Sequence, residues 1–200
     1  MTAPLASEPV ALDPASTALV LVDLMDRIVA LPLEPHKGNE VLVVCEELAT
    51  AFRSAGAVVV LIRVERPGVA EQPPGSGLVD GLLVGGRQVD GPLGDGPLGD
   101  GPLEGGDIEI VKRTIGAFQG TPLDDRLRRR GVTTLVFGGI ATNLGVESTA
   151  RAAADLGYDL VFVEDAMTAF TAAEHEASVR LDFPRLGTVV RATDVTFSVS

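Results

Sequence analysis

The sequence predicts an α/β protein: a doubly wound parallel sheet of six strands in a three-layer α/β/α arrangement. Two observations carry this prediction. Short, nearly continuous apolar runs recur along the chain, as strands buried on both faces require. Between them lie segments with helical periodicity, several closed by a glycine. Strand and helix alternating this regularly build βαβ units, and βαβ units build a parallel sheet with helices on both faces. The 200 residues fit one domain, 1–200, long enough to bury a core without disulfides.

The first strand is Ala18–Val22, ended by Asp23. Residues Glu40–Ser54 place Val41, Val44, Cys45, Leu48 and Phe52 on one stripe, a helix closed by Gly56. Ala57–Val64 is the second strand and Ile108–Val111 the third, leading into Lys112. Pro122–Arg130 is a helix with proline at its start and Gly131 past its end. Thr133–Phe137 is the fourth strand, Val146–Leu156 the next helix, and Leu160–Val163 the fifth strand. Ala172–Leu181 is a last helix before a sixth strand, Gly187–Val190. Residues 65–107 break the pattern. They are rich in glycine and proline, and Asp-Gly-Pro-Leu recurs at Asp90, Asp95 and Asp100. Such a repeat interrupts any helix, so a flexible surface loop inserted after the second strand is expected, with a lid over the strand ends as the sharper reading.

Composition excludes several classes. The net charge is −12 and no basic stripe exists, which argues against a nucleic-acid partner. The cationic run Arg126 and Arg128–Arg130 suits the carboxyl end of its helix. One cysteine excludes an internal disulfide framework and suits a reducing compartment. The amino terminus lacks the charged start and apolar run of a signal peptide, and no apolar stretch reaches the ~18–20 residues of a bilayer span. A soluble, cytoplasmic protein without a membrane partner is expected. Its mean hydropathy of +0.28 agrees with a homodimer or higher homo-oligomer.

Three positions fall at the carboxyl ends of buried strands: Asp23, Lys112 and the turn Ala141–Gly145. Ligands of open parallel sheets bind at those ends. A carboxylate and a lysine meeting there would lower each other's cost of burial.

On these residues the chain resembles the isochorismatase-like (cysteine hydrolase) superfamily, from Thr17 to about Val195. ALVLVDLMD is similar to the family strand ending in its catalytic aspartate, here Asp23. The family's glutamine two residues later is Met25. The stretch from Ile108 to Ala166, with IVKRTIGAFQG and GGIATNLGVESTAR, implies that Lys112 is the catalytic lysine and that Ile140–Ala141 is a cis peptide. The nucleophilic cysteine maps to Gly145, so the chain looks like a subgroup that lacks it, and the acyl-enzyme route is closed. Nicotinamidases of the family bind a metal through Asp and His residues after the second strand; RVERPGVAEQPPG offers no histidine there, so neither that metal nor any other cofactor is expected.

The resemblance implies a small anionic substrate. One possibility is vinyl-ether hydrolysis with Asp23 as general acid and Lys112 as its electrostatic partner. Backbone amides at Ala141 and Gly145 would bind an oxygen, with Ile140, Thr142, Phe118 and Arg66 among the substrate contacts and Arg63 as a second candidate clamp. The alternative is an inactive member that binds a small molecule. Ser148 lacks an activating histidine. Cys45 reads as a buried structural thiol, and Glu164 and Asp165 as a loop closure.

Overall fold

The computed structural model describes residues 9–83 and 106–198. The strands are β1 (Val10–Leu12), β2 (Thr17–Val22), β3 (Val58–Val64), β4 (Ile108–Lys112), β5 (Thr134–Ile140), β6 (Asp159–Thr168), β7 (Thr188–Val190) and β8 (Val195–Phe197). The helices are α1 (Asp26–Val29), α2 (Gly38–Ser54), α3 (Leu123–Arg129), α4 (Glu147–Asp155) and α5 (Ala172–Ala177). Six strands form one parallel sheet in the order β4-β3-β2-β5-β6-β7, and β1 pairs with β8 in a separate parallel ribbon. The order reverses between β2 and β5, which opens a crevice at the carboxyl ends of those two strands.

Alternation along the strands builds two cores. On one face Leu19, Leu21, Val59 and Leu61 pack against Val41, Cys45, Leu48 and Phe52 of α2. On the other, Ala18, Val20, Val22, Val60 and Ile62 pack with Leu123 and Leu127 of α3 and Ala150 and Ala153 of α4. All six residues of β2 are buried, as a central strand covered by both layers must be. Each large side chain so buried contributes about 1.5–3 kcal/mol of transfer free energy. Phe137, Phe162 and Phe183 stack in series in the second core, with ring centroids 5.6 and 4.0 Å apart.

Gly139 is what lets β5 approach β2 at the crevice. Its φ is +120°, and a Cβ there would lie 2.2 Å from the Val22 carbonyl oxygen. Beyond it, β5 and β6 slip register: Phe137 pairs with Phe162, but Gly139 pairs with Met167. The intervening residues of β6 are thus displaced from the ladder.

The segment after β3 is more structured than expected. Residues 65–83 do not trail into solvent: Leu78 and Leu82 are buried, Leu78 bridges Met25, and Asp80–Leu82 form one 3-10 turn. Arg53 donates to the Leu82 carbonyl at 2.7 Å. The two leucines supply the apolar anchors that the glycine-rich composition conceals. The Asp-Gly-Pro-Leu repeats lie outside the described residues. No helix among the described residues is long and apolar enough to cross a membrane.

Candidate active site

Asp23 is the first residue after β2. Its amide donates to the Ile62 carbonyl at 2.8 Å, and its φ of 55° places a non-glycine residue in the left-handed region. Such backbone costs on the order of 1–3 kcal/mol and gathers at functional sites. Lys112 closes β4, with its side chain 2% exposed. Its Nζ donates to Asp23 Oδ2 at 2.8 Å and to the Ile115 carbonyl at 2.6 Å. Asp23 Oδ1 is buried without a hydrogen-bond partner among the described residues. Burial pushes the Asp23 carboxyl above its ordinary value; the Lys112 ammonium, and more weakly Arg27, pull it back without cancelling that rise.

Residues Thr142–Val146 form a single wide turn that leads into α4, and they carry Gly145 to the same place. A Cβ on Gly145 would lie 3.0 Å from Asp23 Oδ2, 3.0 Å from Val22 Cγ1 and 3.2 Å from Lys112 Nζ. Position 145 therefore faces the pair directly, and its lack of a side chain lets the backbone of the turn approach both charges. Thr149 fixes the turn: its hydroxyl donates to the Gly145 carbonyl at 2.6 Å and accepts from the Ala117 amide at 3.1 Å.

Of the other residues singled out in the sequence, some meet here and some do not. The Ile140–Ala141 peptide is cis. The Ile140 side chain is buried in the α2-side core, so only its backbone can face a ligand, while Ala141 lines the start of the turn. Thr142 is fully buried, its Oγ1 2.9 Å from His175 Nδ1. The Phe118 ring packs 6.0 Å from that of Tyr158, the residue before β6. Glu109 and Glu65 hold the Arg63 guanidinium at 2.8 and 2.7 Å. Arg66 is exposed, its backbone bridged by the Gln72 side chain. Cys45 is buried, within 3.5 Å of the Ala166 carbonyl, and burial pushes its thiol well above the ordinary range. Asp165 closes a loop as expected, accepting from the Ala192 amide at 2.8 Å.

Two features escaped the sequence reading. Arg27 lies close enough to Asp23 to lower its pKa, and donates to Ser76 at 3.1 Å. Its position four residues after Asp23, across a turn, was the available signal. Glu164 faces His36 and His175, its Oε1 3.7 and 3.9 Å from their Nε2 atoms. The three come from separate parts of the chain, with no spacing to announce them. The segment after β3 supplies no histidine, so the residues present do not fit the metal of the family's amidases.

Comparison with known proteins agrees with this fold. The Isochorismatase domain model matches residues 17–194. The uncharacterised isochorismatase family protein YecD of Escherichia coli O157:H7 is 40% identical over 182 residues, 89% of this chain and 93% of that protein. YwoC of Bacillus subtilis, also an uncharacterised member, is 38% identical over 88% of this chain and 90% of its own. An isochorismatase family structure from Burkholderia thailandensis superposes with a TM-score of 0.76 at 36% identity, covering 94% of this chain and 97% of that one. With a matching family model over most of its length, and relatives alike from end to end, the chain belongs to the isochorismatase family.

Proposed function

We propose that the protein hydrolyses a small anionic enol ether without a thiol, with Asp23 as general acid. The observation that carries this reading is the state of Asp23. Burial favours its neutral form, Lys112 occupies Oδ2, and Oδ1 has no protein partner. A proton on Oδ1 is therefore free to be given to a substrate. Asp23 transfers it to the terminal methylene carbon of the enol ether, and an oxocarbenium ion forms at the ether carbon. Water adds to that carbon. The hemiketal collapses to a keto acid and an alcohol, and the proton released by the water restores Asp23. Lys112 stabilises the carboxylate that Asp23 becomes in the first step.

Gly145 brings its backbone, with no side chain between, against the Asp23–Lys112 pair. The Ala141 and Gly145 amides, at the entry to α4, supply donors for a substrate carboxylate. Cys45 serves no covalent route, because it is buried against Ala166. The test is pyruvate release from isochorismate by wild type and by Asp23→Asn. Wild type is expected to turn over, and Asp23→Asn to fall about 10²–10⁴-fold. Absence of pyruvate from wild type would overturn the enol-ether reading. Stabilisation by carboxylate ligands with no product would then mark a binding protein.

A further inference from the structure

We propose that His36, Glu164 and His175 form a site for one divalent transition-metal ion of zinc type, separate from the Asp23–Lys112 pair. Their three ligand atoms lie within 4.8 Å of one another. Two imidazoles and a carboxylate are a donor set that zinc takes with a fourth position left for water. The separations fit an ion better than a direct bond. Glu164 Oε1 stands 3.7 Å from His36 Nε2 and 3.9 Å from His175 Nε2, beyond hydrogen-bond reach. Ligands about 2.0–2.1 Å from a tetrahedral ion stand roughly 3.3–3.5 Å apart, so the carboxylate closes on each imidazole by a few tenths of an ångström, and the two imidazoles, within 4.8 Å of each other, approach by up to about 1.5 Å.

The unsatisfied atoms point the same way. Both Nε2 atoms are buried and without a hydrogen-bond partner, and His175 is 2% exposed. Two orphaned imidazole nitrogens aimed at one carboxylate are what an absent ion leaves behind. The groups around them orient the ligands. His175 Nδ1 lies 2.9 Å from Thr142 Oγ1. With Nδ1–H donating to that hydroxyl, Nε2 presents its lone pair to the cluster. The His36 carbonyl accepts from Thr168 Oγ1 at 2.7 Å, and its ring stands edge-on to that of His175 at 89°. Glu164 belongs to the stretch of β6 displaced from its ladder with β5, a device that re-aims side chains. Entry is open: the His36 and Glu164 side chains are 29% and 20% exposed. A bound ion would tie together the segment before α2, β6 and α5, and through Thr142 it would brace the turn that carries Gly145.

The experiment uses the full chain, stripped with a chelator, and zinc chloride as probe. Zinc bound after gel filtration is expected at one per chain. Zinc at a hundredfold excess over its Kd is expected to raise the melting temperature by about 5–10 °C. Cobalt should bind in its place and show imidazole ligands by X-ray absorption, whereas magnesium and calcium, which prefer all-oxygen sites, should not compete. His36→Gln, at the exposed edge, is expected to keep the metal-free melting temperature and to weaken zinc binding by about a hundredfold or more. Glu164→Gln is the second variant should His36→Gln fail to fold. Substoichiometric zinc, or stoichiometric zinc unaffected by either variant, would overturn the site.

Discussion

Lys112→Met tests the electrostatics of the site without a known substrate. Methionine keeps the length and apolar stem of the lysine but removes the ammonium from Asp23 Oδ2, 2.8 Å away, and from the Ile115 carbonyl. Asp23 then loses the larger of the two cations that lower its pKa. An opposite charge this close is worth about one to three pKa units, and each unit about 1.4 kcal/mol. The sign follows from linkage. The folded pKa of Asp23 already lies above 3.8, so its contribution to stability is fully present below the unfolded value and is lost as pH rises through the folded one.

Raising that folded pKa further moves the loss to higher pH and enlarges it. The variant should therefore be penalised more at pH 9 than at pH 5, by up to about 1.4 kcal/mol for each unit by which the folded pKa moves. Urea unfolding at both pH values measures this, with constant m-values as the control for two-state behaviour. The same comparison in an Asp23→Asn background should show no such pH dependence. If Lys112→Met costs the same at both pH values, or the dependence survives Asp23→Asn, the carboxyl is not governed by the lysine and its role as acid loses its basis.

Gly145→Ala should fold, because its methyl falls only a few tenths of an ångström short of ordinary contact with Asp23, Val22 and Lys112. It should still cut kcat/KM at least about tenfold, by shifting the pair; wild-type turnover would place the substrate elsewhere. Gly139→Ala should destabilise by about 3 kcal/mol or more, or prevent folding, since the Cβ would overlap the Val22 backbone at a φ of +120°; a melting temperature within a few degrees of wild type would contradict that packing. Iodoacetamide should neither label the native protein nor inhibit it, because Cys45 is buried with its thiol pushed up. Labelling at the unfolding rate is the expected limit, and rapid native labelling would show the helix to be open.

The sheet was legible because its signal is local. The apolar runs at 18–22 and 57–64 and the stripe at Val41, Cys45, Leu48 and Phe52 report burial directly. Asp23, Lys112 and the turn that carries Gly145 followed from one topological rule: residues at the carboxyl ends of the strands of a parallel sheet face one crevice. The misses needed information that sequence periodicity lacks. β1 and β8 are three residues each and pair across almost the whole chain. β6 runs on to Thr168, past its apolar core, because its displaced residues re-enter the ladder at Met167. His36, Glu164 and His175 converge only once β6 is displaced and α5 docks.

The cost of the Asp23 arrangement bears on whether the site acts or merely binds. The left-handed φ, the orphaned Oδ1 and a buried ammonium each work against folding. Glycine at 23 would relieve the backbone, and an apolar residue at 112 would fit the strand. A site that only held an anion would be better served by Lys112 alone, since an ionised Asp23 would repel the ligand. A neutral Asp23 removes that repulsion and adds a proton donor whose remaining oxygen is already anchored. The proposed reaction, in which the carboxyl passes from neutral to charged beside the ammonium, gives each part of this arrangement a use.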